Sequence, residues 1–170
     1  PGAYHEFDRL VRTRRMNVAF IACCPMDKNG YFNTSTTCSY IPGLLEVCDY
    51  VIIEENESFP VVYGGEFTAI HISQVNAIVK GNNQPLESLG KGAASEADIK
   101  IAENVMNELE DRCCLQFGIG GIPDKIGEAI AKSDFNDFGV HTEMMMDSFM
   151  TLAKAGKVTN KYKQLNKGKM

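Results

Sequence analysis

Two segments of the sequence hold residue types that could do chemistry, and the first is a glycine-rich turn. Residues 116–124 read QFGIGGIPD and lead from an apolar run into a run with helical spacing. Glycines let a backbone approach a ligand closely, and free N–H groups at a helix start suit a carbonyl, carboxylate or phosphate oxygen. The run is neither a dinucleotide fingerprint nor a Walker loop, because Pro123 replaces the last glycine and no G-K-[ST] follows. A ligand-binding turn and a purely structural strand–helix turn both remain open.

The second segment is His141-Thr142-Glu143-Met144, which the pattern places at the carboxyl end of a strand and just before a helix. Ligands of open α/β sheets gather at that edge, so a carboxylate there is placed to meet a substrate. The alternative is a solvated or paired surface glutamate. Period-two alternation puts His141 on the same face as Glu143, where a hydrogen bond would tune the acid. A core histidine with satisfied hydrogen bonds is the other interpretation.

The elements that must position these segments alternate between strands and helices. Apolar or β-branched runs predict strands at residues 18–24, 50–53, 113–117 and 138–145. Spacing and end signals predict helices from Ser95, with Asp98 in a capping box, from Pro123 to about residue 132, and over residues 148–155 after Asp147. This alternation predicts an α/β fold with an open, largely parallel sheet, flanking helices and right-handed crossovers.

Smaller features complete the reading of the elements. Residues 80–92 are rich in glycine, proline and polar residues and predict a long surface connection. The first of the three helices is expected to bury one apolar stripe, formed by Ala97, Ile101, Ala102, Val105, Met106 and Leu109. A methionine cluster is expected to pack in the core, with an adaptable apolar pocket as the alternative: Met144, Met145, Met146 and Met150.

Composition and charge narrow the class of protein. With 44% hydrophobic residues in 170, the chain has enough apolar side chains for one domain core. The net charge of −5 argues against a nucleic-acid partner. No apolar run reaches the roughly 18 residues of a membrane span, and the N-terminal residues do not resemble a signal peptide but a cut end. Lysines crowd the C-terminal segment, as a solvated basic tail or as a contact for a phosphorylated ligand or another part of a longer chain: Lys154, Lys157, Lys161, Lys163, Lys167 and Lys169.

The cysteines and histidines indicate neither disulfides nor a metal site. Two adjacent cysteine pairs, at 23–24 and 113–114, sit in runs expected to be buried strands, and no C-x-x-C or H-x-x-x-H pairing occurs. Reduced cysteines are typical of a cytoplasmic protein. We therefore expect a cytoplasmic location and no metal.

Taken together, residues 115–124 (LQFGIGGIPD) and 139–144 (GVHTEM) resemble the acetyl-CoA hydrolase/transferase family. Within the family, the sequence resembles its 4-hydroxybutyrate CoA-transferase and butyryl-CoA:acetate CoA-transferase members. Collinear stretches extend the resemblance through the whole chain: residues 24–31 (CPMDKNGY) resemble the family's S-P-P-D-x-x-G-[FY] turn, residues 61–64 (VVYG) and 71–73 (HIS) follow in order, and residues 156–160 (GKVTN) resemble its A-G-V-I-T-N stretch.

The resemblance implies a role for each motif. It implies that Glu143 is the covalent nucleophile and that the turn contacts coenzyme A through Gly118, Ile119, Gly120, Gly121 and Ile122. Gln116 and His141 are candidate substrate contacts. The implied activity is CoA transfer between a short-chain acyl-CoA and a carboxylate such as acetate, butyrate or 4-hydroxybutyrate, through a glutamyl-CoA thioester and without a prosthetic group. An acyl-CoA hydrolase using the same glutamate and a catalytically silent CoA-binding fragment are the alternatives.

The resemblance also implies how much of the family's protein this chain represents. Residues 1–170 correspond to a single α/β region, the C-terminal part of the family's N-terminal CoA-transferase domain through the catalytic glutamate. A second, CoA-binding domain would follow Met170. The expected partners are acyl-CoA and a short-chain carboxylate, with the remainder of a longer chain and a second copy in a homodimer as candidate protein partners.

Overall fold

A computed structural model describes residues 2–14, 16–64, 67–88 and 94–170. The chain divides into two compact units, Pro1–Ser88 and Leu89–Met170. Both units contain a parallel pair of strands and at least one helix, which confirms the predicted α/β class. The interpretation of residues 1–170 as a single region of the family's first domain stays a prediction.

The first unit is built on a three-stranded parallel sheet. The sheet has the order β1 (Val18–Cys23), β3 (Tyr50–Glu55) and β5 (Ala77–Lys80). A two-stranded antiparallel sheet pairs β2 (Tyr31–Asn33) with β4 (Ala69–His71). The helices are α1 (Phe7–Arg12) and α2 (Ile41–Val47), with 3-10 turns at Tyr4–Glu6 and Ile72–Gln74.

The parallel sheet buries one face only. Side chains alternate along β1, so Ala19, Ile21 and Cys23 lie in the core while Phe20 is 75% exposed. The exposed face continues across the sheet, because Phe20 is level with Ile52 on β3, and Tyr50 on that strand is 59% exposed. The buried strand predicted at residues 18–24 is present as β1, but only one of its faces is buried. An apolar run is necessary for two-sided burial, but a covering layer is needed as well.

The second unit is built around a short parallel pair, β6 (Cys114–Leu115) and β7 (Gly139–Val140). Its helices are α3 (Glu96–Met106), α4 (Gly121–Lys132) and α5 (Asp147–Lys154). Their apolar faces meet the strands in one core, which holds Ala102, Leu115, Phe117, Ile126, Ile130, Phe138, Val140, Phe149 and Leu152. The rings of Phe117 and Phe149 stack with centroids 4.7 Å apart.

The predicted helix starts agree with the structure to within two residues. Ser95 is the N-cap of α3, with the reciprocal bonds of a capping box: Asp98 N donates to Ser95 Oγ at 3.2 Å and Ser95 N donates to Asp98 Oδ2 at 2.8 Å. Helix α4 begins at Gly121, before Pro123, and α5 begins at Asp147 itself. The apolar stripe of α3 is only partly buried, because Ala97 and Ile101 are exposed.

The strand ends and the connections were predicted less well. β6 and β7 are two residues each, and the chain leaves β7 at Val140, well before the predicted end at residue 145. Of the connection predicted over residues 80–92, Lys80 belongs instead to β5 and residues 81–88 carry no helix or strand, as expected. Residues 89–92 lie outside the described residues. The helices α1 and α2 and the strands β2, β4 and β5 were not predicted at all.

The cysteines divide into buried and accessible thiols. All six are free. Cys23 and Cys24 are buried, and burial raises the pKa of Cys23 to about 12, with the neighbouring Cys24 adding to the shift. Cys114 is exposed, so the expectation that residues 113–114 form a second buried pair is wrong. Cys114 alternates outward on a short edge while Leu115 faces the core.

Candidate active site

The two candidate segments leave neighbouring strands at the same edge of the sheet. Leu115 on β6 and Val140 on β7 are direct partners in parallel register. Beyond them, His141 N donates to Leu115 O at 3.1 Å, and Thr142 Oγ1 donates to Phe117 O at 3.5 Å. The glycine turn and the Glu143 loop therefore run side by side from the carboxyl ends of parallel strands, which is where α/β folds bind ligands.

The glycine turn has one residue that its backbone requires to be glycine and one that lies beside open space. Gly120 is the N-cap of α4 and has φ +142°, a conformation that residues with a Cβ rarely adopt. A Cβ placed on Gly118, in contrast, would meet nothing within 4 Å. Ile119 between them is 57% exposed. The turn is thus structural at Gly120 and accessible at Gly118 and Ile119.

A carboxylate already lies near the start of α4. A Cβ on Gly121 would be 3.4 Å from Asp98 Oδ2, which also caps α3. A helix N-terminus favours negative charge, so Asp98 stabilises α4 through the helix dipole as well. An anionic ligand at this turn would share the positive end of α4 with Asp98.

Glu143 sits in a bend after β7 with its side chain exposed. Within the described part of the chain, its carboxylate forms no hydrogen bond and no ion pair. Met144 and Met145, next in sequence, are 40% and 53% exposed. The expectation that the methionines pack in the core holds for Met146, which contacts the core of the second unit, and is wrong for Met144, Met145 and Met150, the last of which is 47% exposed. A free carboxylate beside accessible thioethers is an arrangement that can receive a partly apolar substrate.

His141 and Gln116 lie close to these segments but are not bonded to Glu143. Both side chains are exposed. His141 lines a cavity of about 370 Å³ together with Cys114, Tyr162, Lys163, Gln164 and Leu165. The suggested hydrogen bond between His141 and Glu143 is absent. Its premise was strand alternation, and the strand ends at Val140 before either residue.

The model of the acetyl-CoA hydrolase/transferase N-terminal domain matches residues 2–89. The chain belongs to this family. That match covers the first unit and ends at residue 89, while alignments with curated relatives extend through the second unit. The chain is 41% identical over 168 residues to the butyryl-CoA:acetate CoA-transferase of Anaerostipes caccae, covering 98% of this chain and 36% of the relative. It is 33% identical over 172 residues to the 4-hydroxybutyrate coenzyme A transferase of Clostridium kluyveri, covering 100% of this chain and 39% of the relative.

Solved structures with more than 30% identity to this chain have the same fold. RipA from Yersinia pestis superposes with a TM-score of 0.90 at 32% identity, over 99% of this chain and 38% of that chain. The 4-hydroxybutyrate CoA-transferase of Porphyromonas gingivalis superposes with a TM-score of 0.87 at 31% identity, over 98% of this chain and 42% of that chain. This member of the acetyl-CoA hydrolase/transferase family therefore spans less than half the length of these relatives.

Sequence reasoning missed two buried polar residues beside the site. Asn160 and Lys163 are each 6% exposed, although Lys163 belonged to a segment interpreted as a solvated tail or a ligand contact. Lys157 departs from that interpretation too, since its Nζ donates to Ser133 O at 2.6 Å in a partly buried position. A cluster of lysines in the sequence shows that the segment is positively charged but not which way each side chain points. Only a three-dimensional structure separates the buried lysines from exposed ones such as Lys167.

The described residues form no cluster of metal ligands and no membrane-spanning helix. Within residues 2–14, 16–64, 67–88 and 94–170, no three side chains of His, Cys, Asp or Glu converge as metal ligands would. None of the helices in these ranges is both long enough and apolar enough to cross a bilayer.

Proposed function

We propose that this chain carries the nucleophile of a CoA-transferase that moves coenzyme A from a short-chain acyl-CoA to a carboxylate acceptor. The observation that carries the proposal is Glu143, an exposed carboxylate on the loop beside the accessible glycine turn. Relatives that align with this entire region are named CoA-transferases, which supports the reaction class. The activity belongs to the complete protein, because the chain covers only 36% of the Anaerostipes caccae relative.

The proposed reaction uses Glu143 as a covalent relay. One carboxylate oxygen attacks the thioester carbon, the C–S bond breaks, and a mixed anhydride and CoA thiolate form. The thiolate then attacks the glutamyl carbonyl and releases the donor acid as its carboxylate, leaving a glutamyl-CoA thioester. The acceptor carboxylate repeats both steps in reverse, so the product is a new acyl-CoA and Glu143 is regenerated. Every step is a transfer between carboxylate and thiolate, and no electron is gained or lost.

In the proposed reaction, backbone N–H groups of the glycine turn act as hydrogen-bond donors. Tetrahedral intermediates place negative charge on a carbonyl oxygen, and backbone N–H groups at a turn stabilise such charge. Gly118, Ile119 and the first turn of α4 lie beside the Glu143 loop. Coenzyme A contacts at Gly118 to Ile122, and substrate contacts at Gln116 and His141, are the remaining parts of the proposed site.

The proposed substrates are short-chain acids of the acetate, butyrate or 4-hydroxybutyrate type. This part of the proposal rests on the substrates for which the relatives are named: butyryl-CoA and acetate for one, 4-hydroxybutyrate for another. The exposed side chains of Met144 and Met145 suit a small apolar acyl chain. Because all six cysteines are free, the proposed location is the reducing cytoplasm.

Hydrolysis is the second candidate, and the exposure of Glu143 is what favours it. A glutamyl-CoA thioester open to water would be hydrolysed: water adds to the glutamyl carbonyl, the C–S bond breaks, CoA leaves as the free thiol and the Glu143 carboxylate is regenerated. One relative, 23% identical over 192 residues, is named an acetyl-CoA hydrolase, from Yarrowia lipolytica. Release of free thiol with and without an acceptor acid separates the two reactions. CoA binding measured by calorimetry without either reaction would indicate a silent CoA-binding region.

The direct test is to trap the intermediate in the complete polypeptide that contains residues 1–170. Butyryl-CoA is added, borohydride reduces any glutamyl thioester to an alcohol, and peptide mass mapping locates the change. We expect it at Glu143 in the wild type and nowhere in Glu143→Gln, which should lose transfer but keep its fold. Glu143→Asp should lose at least about 100-fold, because the carboxylate withdraws by about one ångström.

A matched variant at another glutamate serves as the control for this test. Glu108→Gln makes the same change at another exposed glutamate of the second unit and should leave the transfer rate as it is. Transfer by Glu143→Gln at the wild-type rate, or a trapped alcohol at a different glutamate, would contradict the proposal.

A further inference from the structure

Along the edge of β7 that faces away from β6, some backbone groups form their hydrogen bonds with side chains and not with another strand. On its other edge, β7 pairs with β6 in parallel register, with Leu115 beside Val140. On the edge in question, Phe138 exchanges backbone hydrogen bonds with Lys157 and Thr159 at 2.9 and 3.0 Å. Val140 lies two residues further along, so its N–H and C=O point to this same edge. The segment that follows α5 supplies their partners from its side chains.

Both backbone groups of Val140 are held by buried side chains. Val140 N donates to Asn160 Oδ1 at 2.8 Å, and Lys163 Nζ donates to Val140 O at 2.6 Å. Val140 is 1% exposed, and Asn160 and Lys163 are 6% exposed each. Buried backbone groups need partners, and a bond from an ammonium is stronger than one from a neutral donor. We call this pair of contacts the Val140 clamp.

The clamp is itself fixed in place. Lys163 Nζ makes a second bond to Lys169 O at 2.7 Å, and Gly168 N donates to Asn160 O at 3.0 Å. Asn160 has φ +56°, a left-handed conformation that asparagine adopts more readily than most residues. The aliphatic stem of Lys163 packs on Gly139, where a Cβ would lie 2.7 Å from Lys163 Cγ. Lys163 is thus a packed and bonded part of the strand edge.

Within the described residues, no hydrogen bond or ion pair fixes the carboxylate of Glu143. Glu143 lies three residues beyond Val140 and is exposed. The position of its carboxylate therefore depends on the neighbouring backbone, which is held by the end of β7 and by Thr142 Oγ1, 3.5 Å from Phe117 O and 3.1 Å from Met144 O. In covalent catalysis a misplacement of about one ångström costs about 100-fold in rate.

We propose that Lys163 and Asn160 are positioning residues, which set the place of the Glu143 carboxylate by clamping both backbone groups of Val140. This rests on the assignment of Glu143 as the nucleophile in the proposed function. The side chains act through the strand and do not touch the substrate.

The test compares Lys163→Met, Lys163→Arg and Lys167→Met in the complete polypeptide, with butyryl-CoA and acetate as substrates. Methionine keeps the apolar stem over Gly139 and removes the donor, while arginine keeps a cationic donor. Lys167→Met makes the same change at an exposed lysine of the same segment. Rates are expressed per active site, counted as the Glu143 thioester trapped at saturation. Amide hydrogen exchange over residues 140–143 reports on the clamp without reference to catalysis.

Lys163→Met is expected to lower kcat by about 10- to 100-fold while KM for butyryl-CoA changes less than about threefold. Exchange over residues 140–143 should quicken, Lys163→Arg should recover part of kcat, and Lys167→Met should match wild type. An unchanged kcat per active site, with or without a loss of folded protein, would overturn the positioning role, as would an arginine variant no faster than the methionine one. Glu143→Gln is run alongside. If Glu143→Gln retains activity, the proposed function is wrong. If Glu143→Gln is inactive but Lys163→Met has the wild-type rate, only the positioning role is wrong.

Discussion

At the scale of single residues, Ser148 buries a hydroxyl group that lowers the stability of the fold. It is 4% exposed, and its hydroxyl has no hydrogen-bond partner within the described residues. Its side chain lies where α4 and α5 meet, since a Cβ on Gly127 would be 2.5 Å from Ser148 Cβ. The glycine at 127 allows this close approach of the two helices. The hydroxyl loses its water on folding and gains no bond in exchange.

We expect Ser148→Ala to stabilise the protein by about 1 kcal/mol, because it removes a desolvated hydroxyl and leaves the Cβ contact in place. Urea unfolding followed by circular dichroism measures the change in the free energy of unfolding. Ser133→Ala is the matched control, since Ser133 Oγ donates to Ile130 O at 2.9 Å and accepts from Phe135 N at 3.3 Å. That variant should lose stability. Equal effects of the two substitutions would show that the Ser148 hydroxyl has a partner after all.

At the scale of elements, the glycine turn contains glycines in two different settings, a backbone conformation that favours glycine at Gly120 and open space at Gly118. Gly120 needs its conformation, with φ +142°, so any side chain there strains the backbone whatever the ligand does. Gly118 lies outside that region of φ and faces open space, so a side chain there mainly fills room beside the Glu143 loop. The two positions therefore test structure and binding independently.

Gly118→Val is expected to raise KM for acyl-CoA by at least about tenfold, equivalent to about 1.4 kcal/mol of binding, with little change in melting temperature. Gly120→Ala should instead lower the melting temperature through backbone strain. Steady-state kinetics and thermal unfolding of the complete protein measure both. If Gly118→Val binds acyl-CoA as tightly as wild type, the turn serves only to connect β6 with α4.

At the scale of the whole molecule, the described residues leave one apolar face of the first unit's parallel sheet exposed. Val18, Phe20 and Tyr50 are 45%, 75% and 59% exposed on that face. Parallel sheets in folded proteins are covered on both faces, and bare apolar patches drive association. The 170-residue chain on its own should therefore associate in solution.

Phe20→Glu is expected to reduce this association without loss of folded structure, because the Phe20 side chain is 75% exposed and contributes little to the core. Sedimentation velocity of the 170-residue chain over a range of concentrations measures the change. Tyr63→Glu is the control, since Tyr63 is 87% exposed and lies outside the sheet. An equal effect at both positions would point to net charge and not to the sheet face.

Local signals account for the parts of the molecule that the sequence predicted. The capping box of Ser95 and Asp98 is a local hydrogen-bond pattern, and it placed the start of α3 correctly. The alternation of strand and helix predicted that β6 and β7 run parallel, which puts the glycine turn and the Glu143 loop at one edge. The motif resemblance agrees with the family that the comparisons show.

Long-range partners decide the parts that could not be predicted. β2 and β4 are three residues each and exist through their mutual pairing, which leaves no periodic signal in so short a run. Phe20 and Ile21 are equally apolar, yet only the presence or absence of a covering layer determines that one is exposed and the other buried. Lys163 resembles its exposed neighbours in sequence, and its burial follows from its bond to Val140 O, 23 positions away.

The contact between Gly139 and Lys163 has a consequence for how the sequence can drift over evolutionary time. With the lysine stem 2.7 Å from where a Cβ at 139 would lie, position 139 cannot gain a side chain while Lys163 occupies that space. A larger residue at 139 would expel the lysine, and the carbonyl of Val140 would then lose its donor. Divergent copies of this gene should therefore change the two codons together or keep both, so an alignment deep enough to detect correlated substitutions should report positions 139 and 163 as a pair.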